Sequence, residues 1–248
     1  MRELHCRTYR RTARFLDDYY DIQIHWTTLQ KAAKRLPLFI LQELLRTTAP
    51  DFCYLAAIDA SGYSRRNPSE HYLRRIDGQR PAVPVKLSIM VDTDSRRVLS
   101  ARARVRPVHD TRDVPGLIRQ SALRPYAIVM DKGYDSEPLH KRLDRLSIWS
   151  IAPTRKRCRK GFHRKKLRDA FPEGEYGQRN IVEAVFKSLK QRFGGHVRGR
   201  SARTIRAELF VRLILHNISA FLRDFFYTAA PSQTLPPWEY ISFIYLSG

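Results

Sequence analysis

Residues 176–193, YGQRNIVEAVFKSLKQRF, constrain the fold more than any other stretch of this chain. At the helical period, Ile181, Val182, Val185, Phe186, Leu189 and Phe193 fall on one side. Tyr176, Arg179, Glu183, Lys187 and Lys190 fall on the other, within a stripe roughly 80° wide. The spacing predicts a helix over 176–193 with one face in a core and one polar face carrying a carboxylate among cations. Taken alone, such a stripe is also what solubility selects, so its meaning depends on the rest of the chain.

Two short apolar runs end in aspartate. Cys53–Ile58 (CYLAAI) leads to Asp59 and a break at Ser61-Gly62, and Tyr126–Met130 (YAIVM) leads to Asp131 and then a helical pattern over 136–146. Each reads as a buried strand that delivers a carboxylate at its C-terminal end. Either aspartate by itself is equally a turn former or a helix cap. With Glu183 they form a strand-end, strand-end, helix-face set of oxygen donors, the chemistry that magnesium takes together with substrate phosphates. A pair of such ions activates a water or hydroxyl and stabilises the leaving oxygen of an in-line phosphodiester attack.

On these residues the chain resembles the DDE transposases of bacterial and archaeal insertion sequences. Their Tyr-Arg-Glu-Lys signature matches Tyr176, Arg179, Glu183 and Lys190, and AIDASGYS around Asp59 and VMDKGYDS around Asp131 look like their two catalytic Asp segments. PVHDTRD, IAPTR and LHNIS are also similar, so the resemblance runs from about residue 50 to about 225. It implies an RNase H-like core in which Asp59, Asp131 and Glu183 are catalytic and hold two Mg2+ ions, with Mn2+ able to substitute. It implies DNA contacts by Tyr176, Arg179 and Lys190, and Lys187 is added as a DNA contact because it lies on the same stripe. The implied activity is that of a transposase: binding the terminal inverted repeats of its insertion sequence, cleaving strands by two-metal hydrolysis and joining 3′-hydroxyl ends to target DNA, as a homodimer on double-stranded DNA. The alternatives are a metal-dependent DNA nuclease of the same fold and a non-catalytic DNA-binding remnant. The three intact carboxylates speak against the remnant.

Charge agrees with a polyanionic partner. Forty-six Lys and Arg against 24 Asp and Glu give a formal +22 over 248 residues, and nucleic acid is the natural counterpart. No signal peptide or basic amphipathic anchor is visible. The most apolar long stretch, 208–227, carries Arg212, His216, Asn217, Arg223 and Asp224, so it reads as a buried helix and not a membrane span. A cytoplasmic protein, nucleoid-associated when bound to DNA and without a membrane partner, is expected. Cys6, Cys53 and Cys158 form no CxxC pair, which argues against a disulfide framework or a zinc site.

Residues 1–48 read as a short helical N-terminal segment, with helices over 27–36 and 38–45 separated by Pro37. It is a candidate DNA-binding module, equally a packing collar or an oligomerisation arm. Residues 49–228 read as the catalytic domain, an α/β fold with a mixed β-sheet flanked by helices. Its strands are 53–58, a hairpin of 85–91 and 97–105, 126–130 and 148–152, and its helices lie near 112–123, 135–146, 176–193 and 203–227. Asp92 and Asp94 are turn residues of the hairpin. Arg155 to Arg168, RKRCRKGFHRKKLR, has nine Lys or Arg in 14 residues and reads as a flexible basic loop beside the site. Arg155, Lys156, Lys160, Lys165 and Lys166 are its expected phosphate contacts. Residues 229–248, rich in proline, read as an extended tail.

Overall fold

The computed structural model describes residues 8–65, 84–106, 108–155 and 160–229, with side chains through 226 in the last span. Cys6, Lys156, Cys158 and the tail beyond 229 therefore lie outside the described residues. Three helices come first: α1 (Tyr9–Tyr20), α2 (Trp26–Arg35) and α3 (Leu38–Thr47). Pro37 ends α2 and opens α3, as expected from its fixed φ and missing N–H. α1 was not anticipated; Thr8 caps it by accepting from the Arg11 N–H at 3.3 Å. Leu41 and Leu45, one turn apart on α3, are buried in the main core.

The sheet follows. Its strands are β1 (Leu55–Arg65), β2 (Val85–Asp92), β3 (Val98–Arg104), β4 (Ala127–Met130) and β5 (Trp149–Ile151). They lie in the order β3-β2-β1-β4-β5, antiparallel from β1 through β3 and parallel from β1 to β4 and β5. A two-residue strand, β6 (His196–Val197), pairs with the far end of β1. The helices are α4 (Val114–Gln120), α5 (Glu137–Asp144), α6 (Phe162–Asp169), α7 (Glu173–Gly177), α8 (Asn180–Phe193) and α9 (Ala202–Ala229).

Strand alternation divides the apolar residues into two cores. Ala57, Leu87, Ile89, Val129 and Ile151 face α8 and α9, while Ile58, Met90, Leu99, Ile128 and Met130 face α4 and α5. α8 buries Val182, Val185, Phe186, Leu189 and Phe193. Full burial of a side chain of this size contributes about 1.5–3 kcal/mol, so this face, more than helix propensity, fixes α8 on the sheet. α9 also clips the edge strand: Asn217 accepts from the Val98 N–H at 2.7 Å and donates to the Val98 carbonyl at 2.8 Å. Among the described residues no helix is long and apolar enough to cross a membrane.

Three expectations need correction. β1 does not break at Ser61-Gly62 but continues to Arg65, because β2 pairs with it through Tyr63, whose ring is buried. The helix over 176–193 is two pieces, α7 and α8, since a glycine in a helix costs about 1 kcal/mol and Gly177 ends the first piece. The segment 155–168 is not a loop throughout, because Phe162–Asp169 is helical and pinned by Arg164, which bonds Asp135 twice at 2.6 Å.

Candidate active site

Register brings the two aspartates together. The last parallel pair between β1 and β4 is Ile58 with Met130, so Asp59 and Asp131 are the next residues of strands about 4.8 Å apart. Two residues earlier, Ala57 and Val129 belong to the core under α8, and alternation sends Asp59 and Asp131 toward that face. β4 ends there, and β6 takes up the same edge of β1 only at Ser64. Residues 59–63 thus line a gap in the sheet, and α8 lies over it.

The gap holds a cleft of about 530 Å³ lined by Asp59, Ser61, Glu183, Phe186, Lys187 and Lys190, among others. Asp59 accepts from the Ala60 N–H at 2.7 Å, and Asp131 accepts from the Lys132 N–H at 2.6 Å, capping the 3₁₀ turn Lys132–Tyr134. Arg179, the residue before α8, donates to Glu183 at 2.5 Å. Lys190 donates to Ser61 Oγ at 2.7 Å, and its ammonium lies 5.5 Å from the centre of the Tyr63 ring.

Burial pushes the Asp59 carboxyl above its ordinary pKa, and the charges of Asp131 and Glu183 push the same way. The Ala60 N–H and Arg179 oppose this without reversing it. A divalent cation would relieve both the burial and the repulsion, and the all-oxygen donor set suits a hard ion. Asp59 and Glu183 share a cleft with Asp131 beside it, and not a closed cage, for among the described residues no three Asp, Glu, His or Cys side chains are gathered closely enough to enclose an ion. Glu183, with its side chain 51% exposed, is turned to Arg179.

A family model described as a transposase DDE domain matches residues 54–218, about two thirds of the chain. The chain belongs to the DDE transposase family. The match contains both aspartates, the signature helix and the whole sheet, and the strand order with helices on both faces is that of an RNase H-like core. Among similar solved structures is a piggyBac transposase synaptic complex with hairpin DNA, at 13% identity over 79% of this chain and 54% of that chain, with a TM-score of 0.43. Another is the BIV integrase catalytic core, at 14% identity over 64% of this chain and 82% of that one, with a TM-score of 0.35. The HTLV-2 integrase core solved with magnesium gives 14% identity, 56% and 85% coverage and a TM-score of 0.29. The chain spans 47% and 54% of the viral intasome and piggyBac chains it matches.

In this transposase domain the sequence-predicted residues fall into three groups. Asp59, Glu183, Lys187 and Lys190 line one cleft, and Asp131 and Arg179 stand beside it, close enough for their charges to be felt. Tyr176 packs edge-on against Phe171, at 5.2 Å between ring centres, and not in the cleft lining. Arg155, Lys160, Lys165 and Lys166 are exposed outside the cleft; the Arg155 N–H donates to Asp135 at 2.9 Å. Burial would raise the Asp135 pKa, but bonds from Arg164 and Arg155 outweigh it and hold it below the ordinary value. Ser61, Phe186 and Gln191 also line the cleft and were missed. Ser61 sat in an apparent strand break, and only period-2 alternation carried through Asp59, Ser61 and Tyr63 would have placed it on the Asp59 face.

Proposed function

We propose that the gap between β4 and β6 is where this transposase domain cleaves and rejoins DNA strands. The observation that supports this best is the register of Asp59 and Asp131 toward the one helix that carries Glu183, Lys187 and Lys190. Asp59, Asp131 and Glu183 are the residues that would hold magnesium, as two ions, or manganese in its place. When bound, such ions supply an activated water or hydroxyl and stabilisation of the leaving oxygen. Lys190, steadied by Ser61 and Tyr63, and Arg179, steadied by Glu183, hold phosphates on either side of the scissile bond, with Lys187 at the rim. Their fixed anchorage favours positioning, where an error of about 1 Å can cost on the order of 100-fold in rate. The packing of Tyr176 on Phe171 favours a part in setting the approach to α8 over stacking on a displaced nucleotide.

The partners in this reading are double-stranded DNA, both the ends of the element and the target, and a second copy of the chain bound alongside. Residues 1–48 and the exposed Lys160, Lys165 and Lys166 add sequence-independent affinity in line with the formal charge of +22. The assay is supercoiled plasmid carrying candidate ends, incubated with the purified chain and magnesium or manganese. Nicked ends that become joined to target are expected. Nicking without joining would make the chain a nuclease, and binding without nicking would make it a DNA-binding remnant.

A further inference from the structure

On the opposite face of the sheet lies a second cleft, of about 560 Å³. It is lined by Arg102 and Arg104 of β3, Arg112 of the 3₁₀ turn Asp110–Arg112, Arg119 of α4 and Arg142 of α5, and no carboxylate lines it among the described residues. Five guanidinium groups in one cleft repel one another, and two features of the fold hold two of them, Arg102 and Arg104, in place. The first is Asp113, whose side chain is 1% exposed. It accepts from Arg104, lies 3.0 Å from Lys86 and 3.6 Å from Arg102, and accepts from Ser88 at 2.9 Å. Burial alone would raise its pKa, but the bonds from Arg104, Lys86 and Ser88 outweigh burial and keep it ionised.

The second feature is Gly116, in the middle of α4. A Cβ there would collide with the Arg102 guanidinium, so the helix gives up a side chain where the arginine lies against it. These contacts order Arg102 and Arg104. By contrast, Arg112, Arg119 and Arg142 are exposed and form no ion pair with any described carboxylate. A salt-bridge network built for stability would match its cations with anions. This cleft gathers cations in excess, in the planar, forked form that suits phosphate oxygens.

Its place in the fold ties it to the catalytic gap. The turn Asp110–Arg112 packs against the turn Lys132–Tyr134, which starts directly after Asp131. Tyr134, the last residue of that second turn, is buried. Burial pushes its phenol up, and Asp110 and Asp113, next to the arginine cleft, act in the same direction as Asp59 and Asp131 at the other. The two clefts therefore lie near the same end of the sheet, on opposite faces.

We propose that this arginine cleft is a second DNA-backbone site, which takes one or two phosphodiester groups of a duplex away from the phosphate being cut. It rests on DNA being the substrate of the gap at Asp59. The test compares Arg112→Gln/Arg119→Gln/Arg142→Gln with Arg124→Gln/Lys141→Gln/Arg145→Gln, which removes the same charge from exposed positions outside the cleft. Affinity for a short fluorescein-labelled duplex is followed by anisotropy across a potassium chloride series. Each neutralised phosphate contributes about 0.9 to the log-log salt slope, so the cleft variant should lose about 1–2 units of slope and the control less than half as much. Equal losses would reduce the effect to net charge and overturn the cleft, as would an unchanged slope in the cleft variant, and either result leaves the DNA reading standing. Failure of the unsubstituted chain to bind the duplex would overturn the DNA reading, and the cleft with it. If the triple variant does not fold, the single substitutions Arg112→Gln and Arg145→Gln are compared by the same slopes: a larger loss for Arg112→Gln supports the cleft, and equal losses overturn it.

Discussion

Arg179→Ala separates holding a fold from handling a substrate. The Arg179–Glu183 pair has side chains 20% and 51% exposed, and a solvent-exposed pair at this spacing contributes about 0.3–0.5 kcal/mol. Arg before Glu is the less favourable order on a helix. A cation at the start of α8 also opposes the helix dipole, at a cost of about 0.3–1 kcal/mol. The two terms offset each other, so the substitution should change stability by less than about 0.5 kcal/mol in either direction. The same guanidinium acts on the charges of both Asp59 and Asp131. Its loss should slow cleavage by on the order of 100-fold, or about 2.7 kcal/mol of barrier. Urea denaturation gives the first quantity, and single-turnover nicking at saturating protein gives the second. A stability loss above about 1.5 kcal/mol, with the rate per folded molecule unchanged, would refute the reasoning and make Arg179 a structural residue.

Two further expectations follow from charge. Asp131→Asn keeps an oxygen able to accept from the Lys132 N–H, so the turn should survive, strand cleavage should fall below detection and duplex affinity should stay level or rise; equal losses in gel shift and nicking would make Asp131 structural. Asp113 has a folded pKa below its ordinary 3.8. Its stabilisation is therefore complete above about pH 4 and lost as pH falls through the folded value. Asp113→Asn should cost about 3 kcal/mol near neutrality, where Arg104 and Lys86 lose a buried partner. Below about pH 4 its urea midpoint should approach that of the unsubstituted chain, and curves that stay parallel down to about pH 2 would refute the assignment.

The legible parts of the fold were those in which one period dominates a segment. The alternating hairpin 85–105 and the apolar run ending at Asp131 gave strands near their observed ends, the run ending at Asp59 gave only the first half of β1, and the stripe over Val182 to Phe193 gave α8. Asp59, Asp131 and Glu183 stood out as candidates because the two aspartates end apolar strand runs and Glu183 lies on the polar stripe of an otherwise apolar helix. What escaped depends on contacts between distant segments. β1 runs on to Arg65 because β2 and then β6 hold it, which local residues cannot signal past Ser61-Gly62. Phe162–Asp169 looks like a basic loop until Asp135 and Glu137, more than 20 residues earlier, are placed against it. The arginine cleft draws on β3, α4 and α5, and no spacing along the chain joins Arg102 to Arg142.

The adjacency of Asp59 and Asp131 in register also governs how this gene can drift in length. Deleting one codon inside 55–58 or 127–130 would rotate the following aspartate to the α4–α5 face, where Ile58 and Met130 now pack, and would bury a charge among apolar side chains. Gain or loss of two codons would preserve the face and only shorten or lengthen the strand. Deletion tolerance across these eight positions should therefore follow parity, with odd changes lost from a screen for soluble folded protein and some even ones retained. Substitutions at the same positions face a milder filter, since hydrophobic exchanges of similar volume leave the pleat in step.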